Sequence, residues 1–176
     1  MAGAVASVGR DTVERVRGTP AIQIRQAVGV DKPDVRACVD AAYAPYVERM
    51  GKPPAPMLDD YANLINGGVV YVATLDDRLV GIIVLWPKED HLYIDNVAVL
   101  PEAQGAGVGA ALLGFADAQA QQAGLNEIRL YTNEKMTENI QYYPKNGYHE
   151  THRATDAGYE RVYYSRFLDS QPSSPA

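Results

Sequence analysis

A glycine-rich turn joins an apolar strand to a helical run. Residues 97–109 read V-A-V-L-P-E-A-Q-G-A-G-V-G, and A-A-L-L-G-F-A-D-A-Q-A-Q-Q follows. Small residues let the backbone come close to a ligand, and the first N–H groups of a helix have no partner within it. The turn therefore predicts a cradle for phosphate. A glycine-rich helix cap without a ligand is the alternative interpretation.

The same glycines limit the kind of phosphate chemistry. Residues 105–110 read G-A-G-V-G-A, and no Lys-Ser or Lys-Thr pair follows, so nucleotide hydrolysis of the P-loop kind is not expected. Gly105, Gly107 and Gly109 fit the start of a dinucleotide fingerprint, but no acidic residue closes a second strand at the expected distance. We expect a diphosphate that stays bound, and a dinucleotide is an alternative.

Two motifs in this chain resemble those of the GNAT superfamily of N-acetyltransferases. Gln104-x-x-Gly107-x-Gly109, after the strand I-D-N-V-A-V, is similar to the acyl-CoA signature of that family. Residues 130–148, L-Y-T-N-E-K-M-T-E-N-I-Q-Y-Y-P-K-N-G-Y, resemble its second motif. The positions in register there are Asn133, Asn139, Tyr143 and the Gly147-Tyr148 pair. The resemblance covers residues 20–168 and is strongest from 92 to 148.

The resemblance implies acetyl-CoA as co-substrate. Its backbone and side-chain contacts would fall on Val97, Val99, Gln104, Gly105, Ala106, Gly107, Val108, Gly109, Ala110, Asn133 and Asn139. Val97 and Val99 would pair with the pantetheine amides through their backbone, and Gln104 stands where the family more often has Arg. Asn139 would bond the pantetheine or phosphate region, and Asn133 would steady the loop after its strand. Each Asn is alternatively a turn or N-cap residue.

Acetyl transfer to an amine requires removal of a proton. An ammonium with a pKa near 10.4 is only about one part in 10³ neutral at pH 7, so the reaction requires a base, a water relay or a site that lowers the pKa of the amine. Asp95 lies in the strand that would run beside the acetyl group, where partial burial would raise its pKa. Alternatively Asp95 caps a bulge or pairs with an Arg. Glu89, Asp90 and His91 are less well placed substitutes.

Attack on the thioester requires stabilisation of the carbonyl oxygen, which gains negative charge. The thiolate that leaves requires a proton. Backbone N–H groups of residues 96–99 would serve the oxygen. Tyr143 matches the position of the family's general-acid tyrosine, although a packing role is the alternative and Tyr142 the fallback. Pro144 follows where the family usually has a helix former, and it disfavours helical geometry at Tyr143.

Hydrophobic periodicity and turn residues predict a mixed fold. Strands are expected over residues 21–27, 67–75, 80–86, 91–99, 127–132, 147–155 and 159–168, and helices over 31–43, 57–65, 110–122 and 136–143. Asp31 would cap the first helix, with Pro33 in its first turn. A loop is expected over residues 50–56 and a hairpin turn over 76–79.

The order of these elements predicts an antiparallel meander followed by a strand–helix–strand unit. That unit makes strands 92–99 and 127–132 parallel. The fold class is α/β (α+β), with a mixed, mostly antiparallel sheet flanked by helices. The resemblance implies that the two parallel central strands splay apart and that the pantetheine arm lies in the gap.

Composition supports one domain in a chain of 176 residues. We expect an N-acetyltransferase domain over residues 19–169, with disordered segments over 1–18 and 170–176. The net charge of −6 argues against nucleic acid as a partner, and no apolar stretch approaches a membrane span. A cytoplasmic protein without a metal site is expected, and an exposed strand edge at 160–167 would favour a homodimer.

The sequence favours direct acetyl transfer to a primary amine in a ternary complex. Cys38, the single cysteine, shares a predicted core face with Val35, Val39 and Ala42, which argues against a covalent intermediate. Candidates for the acceptor pocket are Tyr43, Tyr46, Glu48, the K-P-P-A-P loop, Tyr159 and Arg161. The alternatives are a non-catalytic acyl-CoA-binding regulatory module and a dinucleotide-binding domain.

Overall fold

The computed structural model describes residues 21–169. These residues form seven strands, β1 (Gln23–Gln26), β2 (Val70–Leu75), β3 (Arg78–Pro87), β4 (Leu92–Val99), β5 (Glu127–Asn133), β6 (His149–Asp156) and β7 (Tyr159–Phe167). The four helices are α1 (Lys32–Met50), α2 (Tyr61–Asn66), α3 (Val108–Gln122) and α4 (Thr137–Lys145). The segments predicted to be disordered, 1–18 and 170–176, lie outside the described residues.

The strands form one sheet in the order β1-β2-β3-β4-β5-β7-β6. The pair β4–β5 is parallel, and every other neighbouring pair is antiparallel. The predicted meander of β2, β3 and β4 and the predicted parallel pair are therefore confirmed. The parallel pair follows from α3, which carries the chain from the end of β4 back to the start of β5.

Local sequence sets several boundaries differently from the prediction. The β2–β3 turn consists of Asp76 and Asp77 alone, both at positive φ, because a two-residue turn matches the twist of the strands. Helix α1 runs past the predicted end at residue 43 to Met50 and stops at Gly51, where φ is 72°. Residues 55–58, which span the end of the expected loop and the start of the expected second helix, form a 3-10 turn, and α2 begins only at Tyr61.

Asp31 precedes α1 as predicted, but its carboxylate does not cap the helix. It accepts hydrogen bonds from the two terminal nitrogens of Arg25, at 2.7 and 2.9 Å, and from the Val28 N–H at 2.8 Å. The Arg25 guanidinium holds the pKa of the Asp31 carboxyl below its usual range. The bidentate pair therefore ties the start of α1 to β1.

Helices cover both faces of the sheet. Helices α1 and α2 pack on one face, whose buried side chains include Val72, Ile82 and Ala98. Helices α3 and α4 pack on the other, with Ile83 and Leu130 among the buried residues. Among residues 21–169, no helix has both the length and the apolar character needed to cross a membrane.

Cys38 lies in the core beneath α1, as predicted. Val35, Cys38 and Val39 are all buried, and Ala42 packs against the same cluster. Burial raises the pKa of the Cys38 thiol to about 12. The thiolate, which is the nucleophilic form, is therefore suppressed at neutral pH.

The prediction of an exposed edge at residues 160–167 is wrong. These residues belong to β7, which pairs with β5 on one side and β6 on the other. At this end of the sheet the edge strand is β6, whose residues are all exposed. Spatial order departs from chain order because the chain reverses through Ala157 and Gly158 and returns between two strands already placed.

A substitution at Gly81 in β3 tests directly how α3 packs on the sheet. A Cβ at this position would lie 2.9 Å from Val108 Cγ1 and 3.1 Å from the Ala98 carbonyl oxygen. We expect Gly81→Ala to lower the free energy of unfolding in urea by about 1–3 kcal/mol, because overpacking forces the helix or strand to move.

Gly114 provides the matched control, since it lies exposed within α3 and has no neighbouring atom within 4 Å of an added Cβ. Gly114→Ala should leave stability unchanged or raise it by up to about 1 kcal/mol. Equal effects of the two substitutions would contradict this packing.

Candidate functional site

The central feature of the molecule is a cleft where β4 and β5 part. The two strands pair only at Leu92–Ile128, Tyr93–Arg129 and Ile94–Leu130, and beyond these positions they separate. The predicted splay is therefore confirmed. The cleft is lined by Tyr43, Met50, Pro54, Ala55, Pro56, Ile94, Asp95, Asn96, Val97, Leu130, Tyr131, Thr132, Asn133, Met136, Asn139, Tyr143, Tyr159 and Arg161.

Backbone groups of β4 face this cleft without a strand partner. The Leu100 N–H donates to the Val80 carbonyl at 2.8 Å, so alternate residues back along β4, Ala98 and Asn96, also direct their backbone groups toward β3. Val97 and Val99 consequently direct theirs toward the cleft. The expectation that all N–H groups of residues 96–99 serve an oxyanion is thus corrected to Val97 and Val99.

The glycine turn lies at one end of the cleft, between β4 and α3. Gly105 and Gly107 have φ values of 80° and 85°, and no atom lies within 4 Å of an added Cβ at either position. Glycine is therefore needed there for its backbone conformation rather than for space. Gly107 is the N-cap of α3.

The N–H groups of this turn are unpaired within residues 21–169. They belong to Gly105, Gly107, Val108, Gly109 and Ala110, whereas the Ala106 N–H donates to the Ala103 carbonyl at 3.3 Å. A set of free N–H groups at a helix N-terminus attracts anions. The Gln104 amide turns away from this set and donates to the Val99 carbonyl at 3.4 Å.

Asp95 occupies a β-bulge in β4. Val84 is opposite Asn96 and Leu85 is opposite Ile94, which leaves Asp95 as the extra residue. Its carboxylate accepts a 3.3 Å hydrogen bond from Trp86 Nε1. Burial raises the pKa of Asp95, and the Trp86 hydrogen bond opposes that rise. The bulge alternative is therefore correct in geometry, and it places the carboxylate in the cleft.

A buried polar network, which the sequence did not predict, lies next to the bulge. The Tyr43 hydroxyl donates to Asn96 Oδ1 at 2.5 Å and lies 3.3 Å from the Val97 carbonyl oxygen. Asn96 Nδ2 in turn donates to the Tyr61 hydroxyl at 2.9 Å, and Tyr61 donates to the Pro56 carbonyl at 2.8 Å. All of these side chains are buried. The network fixes β4 relative to α1, α2 and the loop between them.

Tyr143 lies on α4 and reaches the cleft from the face of α3. Its ring packs against Tyr142, Tyr148 and Tyr164, with centroids 5.6–5.8 Å apart. Burial raises the pKa of its hydroxyl. The helix continues through Pro144 to Lys145, so the expected disturbance of Tyr143 does not occur. Pro144 has no N–H to donate to the Ile140 carbonyl, and the helix ends one residue later.

Tyr142, the fallback for Tyr143, faces elsewhere. Its hydroxyl lies 2.8 Å from the position of a Cβ at Gly109, beside the first turn of α3. It does not line the cleft. Tyr143 is therefore the tyrosine of this pair that is placed at the cleft.

The two asparagines have partners within the protein. Asn133 Oδ1 accepts from the Lys135 N–H at 2.9 Å, which orders the loop after β5. Asn139 Nδ2 donates to Thr132 Oγ1 at 3.1 Å. Both residues line the cleft, and their contact with a ligand stays a prediction.

The predicted acceptor candidates divide into two groups. Tyr43, Tyr159, Arg161 and part of the K-P-P-A-P loop line the cleft, whereas Tyr46 and Glu48 do not. Sequence reasoning missed Met50, Tyr131 and Met136, which carry no motif signal. Of the proposed substitutes for Asp95, Asp90 pairs with His91 and Arg129 outside the cleft, and Glu89 also lies outside it.

Histidines do not contribute a metal site in the part of the chain that the structure describes. His149 and His152 lie on β6 and are exposed. Within residues 21–169, no three side chains of His, Cys, Asp or Glu are grouped so that they could hold a metal ion.

Comparison with known proteins finds that part of the chain is similar to acetyltransferases. Residues 66–150 match the family model described as Acetyltransferase (GNAT) domain. An aminoalkylphosphonate N-acetyltransferase of Salmonella typhimurium is 33% identical over 99 residues, which cover 52% of this chain and 64% of that protein. The match thus spans less than two thirds of that relative's length.

Solved structures share the fold. A PaiA N-acetyltransferase of Thermoplasma acidophilum in complex with coenzyme A has a TM-score of 0.70 at 18% identity, covering 84% of this chain and 99% of that one. The ribosomal-protein-S18-alanine N-acetyltransferase of Escherichia coli has a TM-score of 0.68 at 18% identity, covering 89% and 99%. At these identities the likeness concerns the fold alone.

The raised pKa of Asp95 predicts a pH dependence of stability. The folded chain holds this proton at pH values where the unfolded chain, with a carboxyl pKa near 3.9, has lost it, so ionisation destabilises the fold as pH rises. Asp95→Asn removes the ionisable carboxyl and therefore this loss of stability. We expect its stability relative to the wild type, measured by urea unfolding, to rise between about pH 4 and about pH 7.

Asp90→Asn is the control, because the pKa of Asp90 is shifted in the opposite direction. The His91 hydrogen bond holds the pKa of the exposed Asp90 carboxyl below its usual range, so this carboxylate favours the fold when ionised. This contribution is complete above the unfolded carboxyl pKa near 3.9 and is lost as pH falls below it, so the relative stability of Asp90→Asn should stay nearly constant from about pH 5 to about pH 7 and rise as pH falls below about 4. The same trend in both variants would contradict the assigned environment of Asp95.

Proposed function

This chain belongs to the GNAT acetyltransferase superfamily, and we propose that it transfers an acetyl group from acetyl-CoA to a primary amine by direct attack in a ternary complex. The observation that carries this proposal is the parting of β4 and β5 beside a glycine turn with unpaired N–H groups. The two features provide an extended slot with an anion-binding end.

Acetyl-CoA would lie with its diphosphate at the N–H groups of residues 105–110. The pantetheine arm would then follow β4, where Val97 and Val99 offer the backbone groups that a missing strand would otherwise bind. A structure with the same fold was solved in complex with coenzyme A, which supports coenzyme A as the ligand. Gln104 contributes no charge to the diphosphate, so the turn's amides and the helix dipole supply the attraction.

Asp95 is proposed as the base that accepts the proton of the acceptor ammonium. It lies in the cleft, and burial shifts its pKa upward, toward the range in which a carboxylate accepts a proton effectively at neutral pH. The amine lone pair then forms the new C–N bond at the acetyl carbon. Negative charge develops on the carbonyl oxygen, and one N–H group of the pair Val97 and Val99 is proposed to stabilise it, because N–H groups two residues apart on a strand are about 6.6 Å apart and the other remains available to the pantetheine arm.

Tyr143 is proposed to protonate the departing CoA thiolate. Its raised pKa keeps the hydroxyl protonated, as an acid must be before the thiolate leaves. The C–S bond breaks as the tetrahedral intermediate collapses to the amide. The nitrogen then loses its second proton, which restores the Tyr143 hydroxyl, and the proton on Asp95 returns to solvent. A covalent acyl-cysteine route is not proposed, because Cys38 is buried beneath α1 and does not line the cleft.

The acceptor class, the location and the oligomeric state stay proposals. The names of the two relatives include an aminoalkylphosphonate and a ribosomal-protein alanine, which share only an amine. We propose a primary amine and a cytoplasmic protein. If the chain forms a homodimer through a strand edge, the strands available are β1 and β6 rather than β7.

The cradle is tested by Gly107→Val. Gly107 has a φ of 85°, and a β-branched residue cannot adopt this conformation without strain. The turn should reorganise, and affinity for CoA measured by calorimetry should fall by at least roughly tenfold, since each 1.4 kcal/mol is tenfold.

Gly124→Val controls for backbone strain. Gly124 follows the other end of α3, has a φ of 71° and also has free space around it. This variant should bind CoA like the wild type. Unchanged affinity in Gly107→Val, with circular dichroism showing an intact fold, would remove the cradle from the proposal.

The acid role is tested by Tyr143→Phe. Loss of the hydroxyl should lower kcat by roughly 10²-fold while changing the KM for acetyl-CoA little, because general acid catalysis acts in the transition state. Tyr164→Phe is the control, since Tyr164 packs against Tyr143 but does not line the cleft. If both variants kept full kcat, Tyr143 would have only a packing role.

A further inference from the structure

Arg161 is a nearly buried cation in the cleft, and the mechanism proposed above does not use it. It lies on β7 opposite Asn133 of β5, and its side chain is only 11% exposed. The guanidinium carbon is 4.1 Å from the centroid of the Tyr131 ring and 5.9 Å from that of Tyr159. The aromatic rings thus hold a positive charge against the cleft.

Only part of the hydrogen-bonding capacity of Arg161 is used within residues 21–169. Arg161 Nη1 donates to Asp156 Oδ2, and the Asp156 side chain is itself 56% exposed. A guanidinium has five N–H donors in a planar fork that suits two oxygens of one anion. A desolvated cation without full pairing is costly, so the cleft favours a ligand that brings an anionic group.

Asp95 provides the opposite charge in the same cleft. It lies on β4, and Arg161 lies on β7, with β5 between them. Strands are about 4.8 Å apart, so the two backbones are separated by at least about 10 Å. A small acceptor can therefore direct its ammonium toward Asp95 and an anion, a few bonds away, toward Arg161.

The neighbouring loops limit the size of the acceptor. The Tyr159 hydroxyl donates to the Pro53 carbonyl at 2.9 Å, and Lys52 Nζ donates to the Gly158 carbonyl at 2.5 Å. Lys52 Nζ also lies 3.8 Å from the centroid of the Tyr159 ring. These contacts join the α1–α2 loop to the β6–β7 turn beside Arg161. Pro54, Tyr159 and Arg161 all line the cleft, so the two joined segments form its wall beside Arg161, an arrangement that suits a small molecule.

We infer that the acceptor is a small zwitterion, a primary amine that carries a carboxylate or phosphonate, and that Arg161 binds this anionic group. The inference rests on the proposed function, since it treats this side of the cleft as the acceptor site. Arg161 is then a specificity-determining residue. Its interaction with the anion depends on the fork of donors as well as on the charge.

The test compares matched amines with and without the anion. The pairs are β-alanine with β-alaninamide, glycine with glycinamide, and aminomethylphosphonate with methylamine. For each pair the ratio of kcat/KM is measured in the wild type, in Arg161→Gln and in Arg161→Lys. Comparing ratios between variants cancels the intrinsic difference in reactivity of the two amines.

We expect at least one anion-bearing amine to be preferred by the wild type. Arg161→Gln should lower that preference by roughly 10- to 100-fold, which corresponds to loss of a charge-assisted hydrogen-bonded pair. Arg161→Lys should restore part of it. Arg153→Gln is the control, because Arg153 is an exposed arginine on β6 paired with Glu150 at 2.8 Å, and it should keep the preference of the wild type.

Calorimetric binding of the same amines to the CoA complex separates this inference from the proposed function. Anion-dependent binding that Arg161→Gln abolishes, without turnover, would support the inference and contradict the acetyltransferase proposal. Turnover of neutral amines without any preference for the anion, or an equal loss for both members of each pair in Arg161→Gln, would overturn the inference and leave the proposed function intact. Neither binding nor turnover of any amine would overturn both.

Discussion

Two parallel strands that stop pairing after three residues leave backbone groups without partners in the middle of a sheet. The protein keeps β4 in place by other means. The pairs between β4 and β3 continue to Val99, and the buried network of Tyr43, Asn96 and Tyr61 ties β4 to the helices of one face. The bulge at Asp95 makes this possible, because it directs Asn96 toward α1 after Ile94 has faced α3.

The cleft consequently opens to both faces of the sheet. Tyr143 and Asn139 reach it from α4, while Tyr43, Tyr159 and Arg161 reach it from the opposite face. A cofactor and an acceptor can therefore approach the same point from different sides, as direct transfer in a ternary complex requires. The rigid elements around the cleft hold the donors before a ligand binds, which reduces the cost of ordering them.

Periodicity and turn residues were sufficient for the element order, the meander and the parallel pair. The bulge was not predictable, because residues 92–99 alternate regularly in burial and contain no glycine or proline that marks a disruption. Regular alternation would place Ile94 and Asn96 on one face, and the network around Asn96 was missed for that reason. The position of β7 depends on pairing between strands distant in sequence, which local patterns do not encode. The two motifs indicated the glycine turn and, in the cleft, Asn133, Asn139 and Tyr143, whereas Tyr131 and Met136 came into view only through the fold.

The most direct test of the central claim is a calorimetric titration of the purified chain with acetyl-CoA, with NAD as the control ligand. The account predicts saturable binding of acetyl-CoA at one site per chain and no binding of NAD. Binding of NAD in preference to acetyl-CoA would identify the glycine turn as a dinucleotide site. Absence of acetyl-CoA binding would mean that the turn and the parted strands are structural features, and it would contradict the proposed transfer reaction.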